Sequence, residues 1–545
     1  MIGTACVAAP SERLRIPKTA DQGPPERPFV NLRTQLVKNI LSNWAFLFLN
    51  FVIFFFLTPY LIKTLSPERS GLWFLLGSIT GYFGIAAFGI PGATEKYVAE
   101  YVAKGDHAQV NRVISTSLFL SLWLAVIAAV AAGVLCVFVD TIFTVSSEYA
   151  AEARWVMAIV GFDLALSYPC ALMFNVLKGF NRHDVRNAIL VPTLLVKAAG
   201  FVVVLMNGGG VTALVLVQLA TNAAGYAIAT AWVLRRTPWL RVRLGERDPG
   251  AYRLLLAYGA FQFVAMAADR IMLHTDRIII GSMISMAAVT VYQVAARMRG
   301  QGRDISSGLD MTLRPAASHL HGLGDYAGLQ RLLVTGSRIS VILLGALYIV
   351  YLTWGGEFIR LWVPALSAGQ AAGAYTCLLI LVVPALLTTP LGAGVSVMYG
   401  LAGHRPFAVL GIIVAVAGVG LSIALARPLG IYGVAIGAVA PVFLVRDLYL
   451  YAYVPSLAKM SVRRFIADVW GRPLLALVPL AAILTGLRFV LEFDRLLWLM
   501  AFFAAVGAAY VLWVYLVVLH PDEKQLVSDA WNLMPRRSSN REAGS

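Results

Sequence analysis

Long runs of apolar residues constrain the fold of this chain more than any other feature of its sequence. Fourteen runs are each about 20 residues or longer, the length of helix that crosses the roughly 30 Å hydrocarbon core of a bilayer. Only 13% of the residues are charged, against about 25% in a soluble protein. The sequence therefore predicts an all-α polytopic membrane protein. The predicted spans are residues 41–63, 71–94, 113–139, 153–177, 187–206, 211–234, 252–281, 286–306, 336–356, 371–399, 406–426, 430–453, 472–491 and 496–519.

Charge alternates between the loops that connect these spans. The loop after span six holds Arg235 and Arg236, whereas the loop after span three holds Asp140 and Glu148. The loops after spans four, eight and twelve are also basic, and those after spans five and seven carry no charge. Cytoplasmic loops collect Lys and Arg, so both termini are predicted to be cytoplasmic. The net charge of +16 is then mostly a property of these loops, and we expect no nucleic-acid partner.

Several absences narrow the function further. The segment 1–38 is polar and rich in Pro and Arg, without the apolar core of a cleaved signal peptide. We expect this segment to be a disordered cytoplasmic tail. None of the four cysteines has C-x-x-C spacing, so neither a disulfide framework nor a metal site is predicted. No G-x-x-x-x-G-K-[ST] motif occurs, so we expect no bound nucleotide or other cofactor.

The second half of the chain weakly repeats the first. A G-D-x5-R motif occurs once in each half, and so does a G-x-x-x-H motif. The matched residues include Ser66 and Ser285, Trp73 and Tyr292, Gly105 and Gly324, and Gly179 and Gly400. The nearly constant offset between the partners covers six spans, an even number. The two halves therefore have the same orientation and a pseudo-twofold axis along the membrane normal.

This repeat predicts two six-helix lobes that enclose a central cavity, with alternating access around it. The predicted units are the cytoplasmic tail 1–38, an N-lobe 39–236, a C-lobe 251–456, two additional spans within 472–520, and a cytoplasmic tail 521–545.

Two segments resemble a known family. The run TPYLIKTLSPERSGLWFLLGSITGYFGIAAFGIPGATEKYVAEYVAKGD is similar to the N-terminal signature of bacterial polysaccharide transporters, and HTDRIIIGSMISMAAVTVYQVAARM is similar to its counterpart in the second lobe. That family belongs to the multidrug/oligosaccharidyl-lipid/polysaccharide flippase superfamily. The resemblance implies a flippase, not an enzyme, that moves undecaprenyl-pyrophosphate-linked oligosaccharides across the bacterial inner membrane for O-antigen, capsule or exopolysaccharide synthesis. We also expect a monomer in the bilayer that works beside a polymerase and other polysaccharide-assembly proteins.

One arginine stands out among the ionisable residues of the predicted spans. Arg297 lies about 16 Å from the outer end of span eight, near the middle of the bilayer. A pyrophosphate in a low-dielectric cavity needs cations, and Arg binds it through paired donors. The resemblance agrees, because A-A-R-M matches the A-x-R-[LM] of the related lipid II flippase, whose Arg faces the substrate cavity. The alternative is a structural ion pair, with Asp304 or with span seven.

The helical period of 100° per residue places Arg297 and Asp304 on one face of span eight, with Arg299 and Arg303 nearly opposite. We therefore expect Arg297 to face the cavity, and Arg299 and Arg303 to extend to the cytoplasmic headgroups.

Other ionisable residues are also cavity candidates, each with a structural alternative. Lys197 in span five is a second cation for an anionic head, or it pairs with Asp163 of span four or extends to the headgroups. In span seven, Asp269 and Asp276 share one stripe, and Arg270 and Arg277 the adjacent one. These four are cavity charges or, as we favour, structural pairs between spans seven and eight.

Two other functions remain open at this point. A cation-coupled multidrug exporter of the same superfamily has a carboxylate in its opening helix, which span one lacks, although Asp163 could replace it. A membrane glycosyltransferase or polymer ligase needs reactive groups on a sizeable external loop. The short loops predicted outside disfavour it.

Overall fold

The computed structural model describes residues 32–87, 89–246, 248–401, 403, 405–520 and 523–524, and within these ranges it contains helices and no strand. Residues 1–31 and most of 521–545 lie outside the described part, and most of both predicted tails lies there. Residues 32–38 of the predicted N-terminal tail are helical and begin α1. The α-helices are α1 (Leu32–Ala86), α2 (Ile90–Ala103), α3 (His107–Ile142), α4 (Ala150–Cys170), α5 (Leu172–Gly179), α6 (His183–Met206), α7 (Val211–Arg236), α8 (Pro249–Met283), α9 (Met286–Gly322), α10 (Tyr326–Trp362), α11 (Ala368–Leu387), α12 (Thr389–Gly400), α13 (Arg405–Pro441), α14 (Leu448–Leu457), α15 (Val462–Arg488) and α16 (Leu496–Trp513).

Two of the longest helices are hairpins. Ser66 in α1 (φ 71°) and Gly430 in α13 (φ 59°) have non-helical backbones. The hydroxyl of Ser70 lies 3.5 Å from the carbonyl oxygen of Leu61, whereas nine residues of straight helix would separate them by about 13 Å. The chain therefore turns back at Ser66, and α1 contains spans one and two. Likewise α13 begins with span eleven and ends within span twelve.

The fourteen predicted spans are confirmed by this arrangement. Ten segments of the described chain are long and apolar enough to cross a membrane, and two of these hold the hairpins. Helices α8 and α9, which are not among the ten, supply the remaining two. Helix α9 is less apolar than the ten because it carries the charged residues of span eight.

The internal repeat is visible in the backbone. Gly105 and Gly324 have φ angles of 71° and 70°, a left-handed conformation that glycine adopts without steric cost. Each is followed by an aspartate that caps the next helix. Asp106 accepts a hydrogen bond from the backbone N–H of Gln109, and Asp325 accepts one from Gly328. The G-D motif is therefore the same helix start, used once in each lobe.

The packing of helices repeats as well. A Cβ atom on Gly179 would lie 3.1 Å from the carbonyl oxygen of Glu95, and one on Gly400 would lie 2.9 Å from that of Arg314. Glu95 and Arg314 also correspond to each other in the repeat, at the offset that relates Gly105 to Gly324. Helix α5, at the end of span four, therefore packs on α2, at the end of span two. Helix α12, at the end of span ten, packs in the same way on α9, which contains span eight, and this correspondence supports the lobe assignment.

Two cross-lobe hydrogen bonds lie at the ends of the helices that carry the odd-numbered loops. The backbone N–H of Thr144 donates to the carbonyl of Gly281 at 2.9 Å, and the hydroxyl of Thr290 donates to the carbonyl of Pro67 at 2.6 Å. The charge of the loops predicts this end to be outside.

Candidate substrate-binding site

A cavity of about 520 Å³ lies within the second lobe, between helices α8 to α12 and the π-helical residues Val442–Asp447. Its wall is strongly charged for the interior of a membrane protein. The charged lining residues are Arg277, Arg297, Arg299, Arg303, Arg446, Asp276, Asp304 and Asp447. Five guanidinium groups against three carboxylates leave a formal surplus of two positive charges, so the cavity suits an anion.

Arg297 lines this cavity at the boundary between the lobes. Its guanidinium carbon lies 4.9 Å from the centroid of the Phe54 ring, which belongs to span one of the first lobe. This is a cation–π contact. In the part of the chain that the structure describes, Arg297 makes no ion pair within 4.0 Å, so the alternative, an ion pair with Asp304, is not formed within that distance. Its N–H donors remain available to a ligand in the cavity.

Arg299 and Arg303 also line the cavity, so the prediction that they extend away from it was wrong. The helical wheel assumed a narrow cavity that one face of a helix could fill. The cavity instead contacts more than one face of α9, since Arg297, Arg299 and Arg303 all line it. Gly302 lets Tyr348 pack closely against α9, because a Cβ atom on Gly302 would lie 2.2 Å from the hydroxyl oxygen of Tyr348.

The span-seven charges divide between the two predicted roles. The hydroxyl of Tyr292 donates to Asp276 at 2.6 Å, and Arg277 donates to the hydroxyl of Ser78 in span two at 3.3 Å. Both residues therefore connect helices, and both also line the cavity. The Nε of Arg277 is buried and has no hydrogen-bond partner among the described residues.

Asp269 and Arg270 are not in the cavity wall. Asp269 is exposed and lies 3.8 Å from the guanidinium of Arg303. It can hold Arg303 in place from outside the wall, whereas Arg270 has no such contact with a cavity residue in the described chain.

Lys197 and Asp163 belong to a separate polar network in the first lobe. The ammonium of Lys197 donates to the side-chain oxygen of Asn222 at 2.8 Å, and the amide of Asn222 donates to Asp163 at 3.0 Å. Gln218 donates to the same carboxylate at 3.2 Å. Asn222 therefore bridges Lys197 and Asp163 by hydrogen bonds, in place of the direct ion pair that was one alternative for Lys197.

Lys197 lines a second cavity, of about 290 Å³, and Asp163 does not. Phe54 also lines this second cavity. The Phe54 ring therefore lies between the cavity that holds Lys197 and the guanidinium of Arg297.

Comparisons with known proteins assign the chain to a family. The model of the polysaccharide biosynthesis protein family matches residues 36–348, more than half of the chain. The chain belongs to this family. It is 20% identical over 499 residues to the uncharacterized membrane protein EpsK of Bacillus subtilis (strain 168), with 90% of this chain and 96% of EpsK covered.

Solved structures show the same fold. The inward closed conformation of the lipid II flippase MurJ superimposes with a TM-score of 0.65 at 12% identity, covering 88% of this chain and 97% of MurJ. An inward-facing multidrug resistance MATE family transporter of the MOP superfamily gives 0.63 at 18% identity, covering 77% of this chain and 96% of that one. A MOP superfamily transporter from Pyrococcus furiosus gives 0.55 at 16% identity, covering 79% and 97%. These likenesses show that the chain has the fold of these transporters, and the family match confirms the resemblance to polysaccharide proteins.

Two cavity residues of this family member escaped prediction. Arg446 and Asp447 look interfacial in the sequence, because they adjoin the end of span twelve. In the structure both line the cavity, and their side chains pair at 2.9 Å. They lie on a π-helical turn after Pro441, and such turns are frequent at functional sites. An Arg-Asp pair shortly after a proline, within an otherwise apolar run, was the available signal.

Proposed function

We propose that this protein is a flippase for undecaprenyl-pyrophosphate-linked oligosaccharides, and that the charged cavity of the second lobe binds the pyrophosphate. The observation that carries the proposal is the cluster of five arginines around one cavity in a family of polysaccharide biosynthesis proteins. Guanidinium groups bind phosphate oxygens through paired, charge-assisted hydrogen bonds. Arg297 is the central ligand in this proposal, and Arg299 and Arg303 are additional ones.

The position of the cavity fits an amphiphile that is carried through the membrane. It lies beside the boundary between two lobes, where Phe54 of one lobe contacts Arg297 of the other. A relative movement of the lobes would change access to Arg297 without dismantling the cavity. This supports alternating access, with the substrate bound at mid-membrane.

The direction of access follows from the cross-lobe hydrogen bonds. They close the end that carries Thr144 and Thr290, which loop charge predicts to be periplasmic. In this conformation, substrate would enter the cavity from the cytoplasmic side of the inner membrane, where the basic loops and both termini are proposed to lie.

A cation-coupled drug exporter remains the second candidate, because buried Asp163 provides a carboxylate in the first lobe. The surplus of guanidinium groups disfavours it, since a cationic drug would be repelled from the cavity.

The proposal is tested by transport in vesicles. Purified protein is reconstituted with an undecaprenyl-pyrophosphate-linked oligosaccharide, and the fraction of sugar that reaches the opposite leaflet is measured with an impermeant lectin. Protein-dependent translocation that inorganic pyrophosphate inhibits is the expected result. Translocation at the rate of empty vesicles, together with export of cationic dyes, would support the drug-exporter alternative.

A further inference from the structure

An apolar slot opens on the membrane-facing side of the charged cavity. The slot has a volume of about 450 Å³ and lies between α11 and α13, and its lining residues are all apolar. Val383 and Leu444 form part of its outer rim, with 46% and 60% of their surfaces exposed. No charge among its lining residues would oppose a hydrocarbon chain there.

The slot and the charged cavity share part of their walls. Pro384, Val439 and Phe443 line both. Arg446 and Asp447 lie in the cavity wall three and four residues after Phe443, on the same π-helical turn that places Leu444 on the slot. One turn of helix therefore presents charges on one side of the shared wall and hydrocarbon on the other.

The two helices that border the slot are both interrupted beside it. Pro384 lies within α11, which ends at Leu387, and Pro441 is followed at once by the π-helical turn. A proline inside a helix removes one backbone hydrogen bond. The shared wall is therefore built from segments of α11 and α13 in which the regular helical hydrogen bonding is interrupted.

We infer that this slot holds the polyprenyl tail of the substrate, so that the tail leaves the charged cavity between α11 and α13 while the pyrophosphate stays among the arginines. The inference rests on the proposed function. A ligand with one anionic group and one long hydrocarbon chain matches an arginine-lined cavity that shares a wall with an apolar slot, and it matches neither one alone.

Photocrosslinking tests where the tail lies. Benzoylphenylalanine replaces Leu444 at the slot, and in a matched control it replaces Val416, which lies on α13 outside the slot and is 67% exposed. Each protein is mixed with radiolabelled undecaprenyl pyrophosphate in detergent and irradiated. Labelling at position 444 should exceed labelling at 416 several-fold and should fall when inorganic pyrophosphate is added in excess.

The outcomes distinguish a failure of the tail-site inference from a failure of the proposed function. If undecaprenyl pyrophosphate binds and the Arg297→Ala variant loses that binding, but position 444 is labelled no more than position 416, the slot is not the tail site and the function stands. If no binding depends on Arg297, the proposed function fails, and the slot fails with it.

A second variant fills the slot without touching the cavity. Ile436 lines only the slot, so Ile436→Trp should obstruct the tail, and Ile423→Trp on the exposed surface of α13 is the control. Because each buried methylene contributes to binding, we expect Ile436→Trp to lower the affinity for undecaprenyl pyrophosphate roughly tenfold or more. The affinity for inorganic pyrophosphate should be unchanged. An equal loss for both ligands would mean that the charged cavity was damaged, and would count against the slot.

Discussion

The guanidinium of Arg297 lies over the ring of Phe54, 4.9 Å from its centroid, and this contact joins the second lobe to the first. Arg297 needs no protein carboxylate at this position, because the ring face and the open cavity leave its donors free for a ligand. Phe54 in turn lines the cavity that holds Lys197. Ligand binding at Arg297 or at Lys197 can therefore displace the same aromatic ring, that of Phe54.

Replacing Arg297 should remove substrate binding without unfolding the protein. A hydrogen bond to a charged group contributes about 1.5–3 kcal/mol, so Arg297→Ala should lower affinity for undecaprenyl pyrophosphate by about ten- to a hundredfold. Arg297→Lys keeps the charge and loses the paired geometry, so part of the affinity should remain. Binding and polysaccharide export are measured at equal amounts of membrane protein. The control is Arg427→Ala, an exposed arginine outside the cavity wall. Wild-type export by Arg297→Ala would exclude this arginine from the site.

The close contact between Gly302 and Tyr348 is predicted to be necessary. Gly302→Ala would force a methyl group against the hydroxyl of Tyr348, since the Cβ atom would lie 2.2 Å from it. Overpacking of this kind costs about 1–3 kcal/mol, and it should also reduce export. Gly300→Ala is the matched control, because a Cβ atom there meets nothing within 4 Å. Thermal unfolding in detergent and export are measured together. Equal melting temperatures and equal export for the two variants would mean that the cavity does not depend on the contact between Gly302 and Tyr348.

Two substitutions in the polar network of the first lobe should have different effects on thermal stability and on substrate binding. Asp163→Leu leaves the amides of Asn222 and Gln218 without their acceptor, and an unsatisfied buried polar group costs about 1–3 kcal/mol. The melting temperature should fall. Lys197→Gln keeps a donor for Asn222 and removes the charge, so it should preserve the melting temperature while weakening binding of undecaprenyl pyrophosphate. If Lys197→Gln lowers only the melting temperature, Lys197 is a structural residue.

The closed end of the lobes can be locked by a disulfide. The hydroxyl of Thr290 reaches the carbonyl of Pro67 at 2.6 Å, so cysteines at positions 67 and 290, in a chain without its four native cysteines, should join on oxidation. Alternating access predicts that the oxidised protein stops translocating and that a reductant restores activity. Each single-cysteine variant serves as the control. Undiminished translocation by the fully oxidised protein would show that this end need not open.

The sequence predicted the helices, the repeat and the lobes more completely than it predicted the cavity. Length and hydropathy determine a membrane span locally, and the Gly-Asp helix starts repeat because each is a short-range backbone motif. The cavity depends on the shape of several helices at once. Arg299 lines the same space as Arg297 because neighbouring helices together form the walls of the cavity, and no helical wheel contains their positions. The π-helical turn that carries Arg446 likewise shifts the register of span twelve, which regular 100° spacing cannot anticipate.

The imbalance of charge in the cavity wall has an electrical consequence. With two more guanidinium groups than carboxylates, the wall of the empty cavity carries a formal charge of two positive units inside the membrane. Each elementary charge that crosses the full field gains or loses about 2.3 kcal/mol per 100 mV, so even a partial displacement is sensitive to voltage. An interior-negative membrane would hold the empty cavity toward the cytoplasm. A bound pyrophosphate would neutralise that charge. The outward movement of the loaded protein would then not depend on the membrane potential, whereas the potential would favour the return of the empty protein.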